Sequence, residues 1–114
     1  MDFHSNLKNI MKEYAHLVYD VTEKFPKSEI FGITSQIRRS SLSVLLNYTE
    51  GYARRRKSFL KQFTETSYAS LKESLITLEF AYERKFLNKK EFEKISKLGD
   101  KIGKMLWGIL SKIN

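Results

Sequence analysis

Apolar residues recur along this chain at steps of three and four, and no stretch alternates strictly. That period belongs to helices with one face in a core, not to half-buried strands. Leu7, Met11, Tyr14, Val18, Val21 and Phe25 form the first series, with the a/d spacing of a bundle helix and Ile10 and Leu17 widening the stripe. It predicts a helix over 2–25 that stops at Pro26, which lacks an amide donor and clashes with the preceding turn. Ile33, Ile37, Ser41, Val44 and Tyr48 predict a second helix over 33–48, with Gly51 as its left-handed C-terminal cap. A third starts after Ser58 as N-cap, carries Leu60, Phe63, Ser67, Leu71, Leu75, Leu78 and Tyr82, and ends near Phe86. Asn88 and Glu91 then have capping-box spacing, and Phe92, Ile95, Ile102, Leu106, Ile109 and Ile113 mark a fourth. Short connections favour antiparallel neighbours, so the expected fold is all-α, an up-down-up-down four-helix bundle forming one domain over 1–114.

Several apolar residues lie off these stripes. At about 100° per residue, Leu42 and Leu46 point away from the second helix's core face, on the side of Ser35 and Arg39. Ile76 and Phe80 leave the Leu71–Leu78 stripe in the same way, and Trp107 sits on a flank of the fourth helix one turn after Gly103. Scattered single hydrophobes are common on surfaces. Paired on two helices and joined by a tryptophan, they could make a patch large enough to seek a partner. Burying each is worth roughly 1.5–3 kcal/mol, so homo-oligomerisation through Leu42, Leu46, Ile76, Phe80 and Trp107 is expected.

Composition adds one feature to this picture. The 114 residues carry a net charge of +8, which attracts polyanions. The absence of cysteine excludes disulfides, thiolate metal sites and cysteine nucleophiles. No run of about 18 apolar residues predicts a membrane span. The N-terminal stretch does not resemble a signal peptide, so a cytoplasmic protein is expected.

Catalytic chemistry is hard to assemble. His4 and His16 are separated by about 18 Å along one helix, too far to share a metal. Glu13 and His16 match the Glu-x-x-His of di-iron bundles once, where two copies are needed. Phosphate-binding glycine loops, zinc-protease motifs and nucleophile elbows are missing. Gly99 and Gly103 suggest only a close approach of a neighbouring helix or of Trp107. No enzyme, cofactor, metal or small-molecule substrate is expected.

The segment QIRRSSLSVLLNYTEGYARR, preceded by FPKSEIFGITS, resembles the hallmark of the 23S rRNA intervening-sequence proteins. Phe25, Pro26, Glu29, Gly32, Gln36, Arg38, Arg39, Ser43, Asn47, Glu50, Gly51 and Arg54 carry the likeness, with Ser70, Leu71 and Glu73 further on. The chain departs from the family pattern at Leu45, where proline is usual, at Thr49, and at Ala69. The resemblance implies a small bacterial four-helix bundle without enzymatic activity that assembles into a ring-like homopentamer. Its relatives include the accessory variability determinant of diversity-generating retroelements, which works with a reverse transcriptase and its RNA. The resemblance implies RNA or another nucleic acid as partner, with an adaptor for a reverse transcriptase, or a purely structural self-assembling bundle, as the alternatives.

One cluster fits such a partner. Arg54, Arg55, Arg56 and Lys57 stand side by side in GYARRRKS, and with Arg38, Arg39 and Lys61 they are expected to bracket one end of the second helix and the turn after it. Arginine's planar fork matches phosphate, so these residues are the candidate RNA contacts. Tyr48, Tyr52 and Phe59 lie nearby in sequence, with core packing the simpler role for Tyr48 and Phe59. Charge runs are also often plain hydrated loops, and Arg38 and Arg39 could instead pair with a neighbouring subunit's acids.

Overall fold

The computed structural model describes residues 2–113. Among them are four α-helices, α1 (Phe3–Thr22), α2 (Ile33–Ala53), α3 (Lys57–Glu83) and α4 (Lys89–Ile113), with a 3-10 turn at Lys27–Glu29 and no strand. Each helix packs on its sequence neighbours, and α1 closes the bundle against α4. Partner residues run in opposite directions at every interface. His4 meets Tyr48 while Thr22 meets Arg38. Val44 meets Ser67 while Gln36 meets Glu73. Tyr68 packs on Trp107 while Tyr82 stacks on Phe92, and Tyr14 approaches Gly99 while Lys24 pairs with Glu91. The antiparallel up-down-up-down order expected from the short connections is the order that forms.

The predicted stripes become the core. Leu7, Met11, Tyr14, Val18, Ile37, Val44, Leu71, Leu78, Ile102 and Leu106 are fully buried. Tyr14 carries the one polar atom this set takes inside, and that atom is satisfied. Its hydroxyl lies 2.7 Å from Ser74 Oγ, whose own hydrogen goes to the Leu71 carbonyl at 2.9 Å, so Tyr14 donates. Burial pushes the Tyr14 phenol up to about 12, which keeps that donor protonated.

Small residues set the closest approach, between α2 and α3. Ser67 Oγ donates to the Val44 carbonyl at 2.6 Å, and Ser43 Oγ lies 3.0 Å from Ser70 Oγ. A Cβ at Gly51 would fall 2.7 Å from the Phe63 Cβ, a separation two side chains cannot share. Gly99 does similar work in α4, where a Cβ would meet Leu75 at 2.7 Å and Tyr14 at 3.1 Å. Trp107 does not enter that space and stays outside.

The helix limits differ from the sequence expectation in three places. α1 ends at Thr22, and Phe25 reaches the core from the turn that follows, against Phe86. α2 runs on past Tyr48 to Ala53, so Gly51 is an interior helical residue required for packing, not a cap. The left-handed residue of that turn is Arg55, at φ 57°. α3 begins at Lys57, with Arg56 in the capping position and Ser58 already inside the first turn. The Asn88 box forms as expected: Glu91 N–H donates to Asn88 Oδ1 at 2.8 Å, and Asn88 N–H to Glu91 Oε1 at 3.0 Å.

Candidate nucleic-acid interface

The tight turn between α2 and α3 projects Arg55, Arg56 and Lys57 into solvent, and all three are exposed. Two features hold the turn in shape. The Arg55 N–H reaches the Tyr52 carbonyl at 3.3 Å. Arg54 is anchored, its Nε–H donating to Glu50 at 2.8 Å while its guanidinium lies 4.9 Å and 5.1 Å from the ring centres of Phe59 and Phe63. Glu50 lies in the last turn of α2, where an acid meets the negative end of the helix dipole, and Arg54 offsets that contact. Arg55, Arg56, Lys57 and Lys61 make no ion pair among the described residues. Beside them lies a hollow of about 610 Å³ lined by Tyr52, Arg55, Arg56, Lys57 and Leu60. The first turn of α3 opens here without a side-chain cap, so its free N–H groups add to the positive potential.

The seven basic residues do not form one cluster. Arg38 lies 16 positions and Arg39 15 positions before Arg54, which caps the same helix, about 24 Å and about 22 Å along its axis. Arg38 is committed to α1, its Nε–H donating to Thr22 Oγ1 at 2.8 Å and its guanidinium 5.0 Å from the Tyr19 ring centre. Arg39 is exposed on the outer face. The basic end comprises Arg54, Arg55, Arg56, Lys57 and Lys61, with Lys104 and Lys112 of α4 nearby across α3. The α4 lysines escaped a reading along the sequence because only the fold brings them beside Lys57.

The surplus hydrophobes lie outside the protomer core. Leu46 is 57% exposed, Ile76 60%, Phe80 51% and Trp107 62%. Leu42 is half-buried and only flanks this surface. Trp107 lies near Tyr68, 6.0 Å between ring centres with the rings tilted at 45°. One large apolar site was missed: Phe31, just before α2, is 96% exposed, with Ile30 beside it. Its signal in the sequence was the Ile30–Phe31 pair in a connection, followed by a glycine.

A histidine latch joins α1 to the basic turn. His4 stacks on Tyr52 at 3.3 Å between ring centres, and its Nδ1 lies 3.0 Å from the Tyr48 hydroxyl. Burial pushes the Tyr48 phenol up to about 12, so it stays protonated at neutral pH, and the His4 tautomer sets which of the two groups donates. Burial, then the Lys8 ammonium, holds the His4 imidazole below its ordinary range. Among the described residues no cluster of His, Asp or Glu could hold a metal ion, and no helix is long and apolar enough to cross a membrane.

The model of the 23S rRNA-intervening sequence protein family matches residues 6–108. The chain belongs to that family. A solved structure from Bacteroides thetaiotaomicron, described as a protein of unknown function from the S23 ribosomal protein family, superposes with a TM-score of 0.87. It shares 18% identity and is covered over 97% of its length by 95% of this chain, a likeness of fold. No match was found among curated proteins.

As a 23S rRNA-intervening sequence protein, the chain places much of its hallmark segment on the outer α2–α3 seam. Gln36 donates to Glu73 at 2.9 Å, and Asn47 donates to the Ser43 carbonyl at 2.9 Å and its hydroxyl at 2.7 Å. Asn47 therefore braces α2 itself and does not reach Glu50. Gln36 to Glu73, with the Ser43–Ser70 pair, fastens two helices whose backbones run close together.

Proposed function

We propose that this family member is a non-catalytic bundle that joins copies of itself into a ring-like homopentamer and binds RNA through phosphate contacts, without base specificity. The observation that carries the reading is the unpaired run Arg55, Arg56 and Lys57, held on a tight turn beside an open hollow and an uncapped helix start. Exposed apolar faces on α2, α3 and α4 support the assembly, since Leu46, Ile76, Phe80 and Trp107 together exceed what a lone protomer gains from leaving uncovered. Closed symmetry repeats the basic turn around an axis and raises the potential a polyanion meets. Tyr52, exposed at the edge of the hollow, offers a ring on which a base can stack. Exposed arginine and lysine side chains on a turn suit phosphate contacts, which position a nucleic acid without reading its sequence.

Filter retention of RNA at several salt concentrations tests the binding. Neutralising about five phosphates gives a slope of log affinity against log salt of roughly −3.5 to −4.5. Changing Arg54, Arg55 and Arg56 together to alanine should remove about half of that slope. Retention unaltered by the triple change would refute the assignment. Sedimentation at high salt tests the assembly separately, and a 13.5 kDa species at high concentration would refute it.

A further inference from the structure

A groove of about 480 Å³ crosses the same end of the bundle, between the first turns of α1 and α3 and the last turns of α4. Its volume falls in the range of about 300–1,000 Å³ typical of small-molecule sites. Leu60, Met105 and Ile109 form a recessed apolar floor, each partly buried, and Phe3 stands at one side, 53% exposed. Lys57, Lys104 and Lys112 also line the groove. No carboxylate does, and none of these lysines makes an ion pair among the described residues.

Gly108 marks the groove from below. It lies inside α4, where glycine weakens a helix, and a Cβ built on it meets no atom within 4 Å. The missing side chain therefore serves no close approach of helices, unlike Gly51 and Gly99. A side chain there would extend into the open space that Gly108 borders, which this groove shares with the neighbouring hollow at Trp107.

We propose that this groove binds a single-chain anionic amphiphile, a fatty-acid-like carboxylate. Its alkyl chain lies along Leu60, Met105 and Ile109, and its head group is held by Lys57, Lys104 and Lys112. Charge complementarity selects the head, because three ammonium groups gather around an apolar floor that no acid lines among the described residues. Recession of the floor favours a free molecule over a bilayer, since Leu60, Met105 and Ile109 are partly buried and, of the groove's described apolar lining, Phe3 alone is mostly exposed. The site stands on its own lining and does not depend on RNA binding, although both use Lys57.

Dodecanoate, titrated below its micellar concentration into the intact chain, tests this. Calorimetry gives affinity, and Trp107, the single tryptophan, reports by fluorescence from the neighbouring hollow that shares Lys104 and Gly108. Saturable binding is expected, at least tenfold tighter than for dodecanol, which lacks the charge. Gly108→Leu should weaken it tenfold or more while leaving Tm unchanged or higher, and the double change Lys57→Gln with Lys112→Gln should weaken it severalfold. Absence of saturable binding, equal binding of dodecanol, or full binding by Gly108→Leu would overturn the proposal. So would retention on phosphatidylglycerol vesicles without binding of monomeric dodecanoate, which would make the groove a membrane contact. A change in sedimentation of Gly108→Leu with dodecanoate binding intact would likewise overturn it, assigning the groove to a second copy.

Discussion

The two tight helix–helix turns at opposite ends of the bundle are built from similar backbone and different side chains. Both use a non-glycine residue in the left-handed region, Arg55 at φ 57° between α2 and α3 and Lys85 at φ 66° between α3 and α4. The second turn is closed at every level. Phe86 N–H bonds to the Ala81 carbonyl at 3.0 Å and Lys85 N–H to that of Tyr82 at 2.9 Å, a Schellman pair. Leu87 is buried, Asn88 and Glu91 cap each other, and Lys24 of α1 pairs with Glu91. At the first turn no side chain caps α3, and Arg55, Arg56 and Lys57 make no ion pair among the described residues. A left-handed turn residue thus serves both ends: at one the turn is spent on holding helices together, while at the other its basic side chains from Arg55 to Lys57 make no ion pair among the described residues.

The largest test of that contrast is Gly51→Val, just before the open turn. Its branched side chain must push Phe63 away, and a loss of about 1–3 kcal/mol in urea unfolding is expected. Next come the caps, with opposite signs at the two ends. Asn88→Ala should cost about 1 kcal/mol, whereas Arg56→Ser supplies a missing N-cap and should gain about 0.5–1 kcal/mol while weakening RNA retention. Stabilisation by both changes would erase the distinction. Smaller again, Lys85→Gly and Arg55→Gly should each relieve left-handed strain and gain less than about 1 kcal/mol in the same assay, offset by the entropy of glycine.

Acid should separate the ends by pH window. His4 binds a proton less readily folded than unfolded, so its contribution is present above its ordinary value of 6.5 and is lost as pH falls from there through the depressed value. The hydrogen bond from Lys24, and then that from the Asn88 N–H, holds the Glu91 carboxyl below its usual 4.5, so its contribution survives to lower pH and fades as pH falls below that value. Thermal melts across this range should show two steps, and His4→Phe, which keeps a ring on Tyr52, should remove only the upper one.

Much of this architecture was legible because it is written locally. Asn88 and Glu91 are three residues apart and made their cap wherever the helix went. The a/d series buried its members, and Leu46, Ile76, Phe80 and Trp107 stayed outside the core because helical angle alone decides that. Gly51 was misread, since a glycine demanded by a neighbouring side chain and one demanded by φ look alike in a sequence. Arg55 and Lys85 adopt left-handed backbone with no residue type to announce it. Of the candidate site, the run from Arg54 to Lys57 was visible as charge density. The separation of Arg38 followed from α2 continuing beyond Tyr48, and Lys104, Lys112 and Gly108 meet Lys57 only through the packing of α4 on α3.

The α2–α3 seam also bears on how the chain reaches this state. These helices make the most extensive pairing in the molecule and are joined by the fewest residues, so their closure carries a small entropic penalty. Contacts near in sequence form early on the way to the native state. The serine–glycine hairpin is therefore expected to act as the nucleus on which α1 and α4 condense: lesions at Ser67 or Gly51 should slow refolding, whereas lesions confined to α1 should chiefly hasten unfolding.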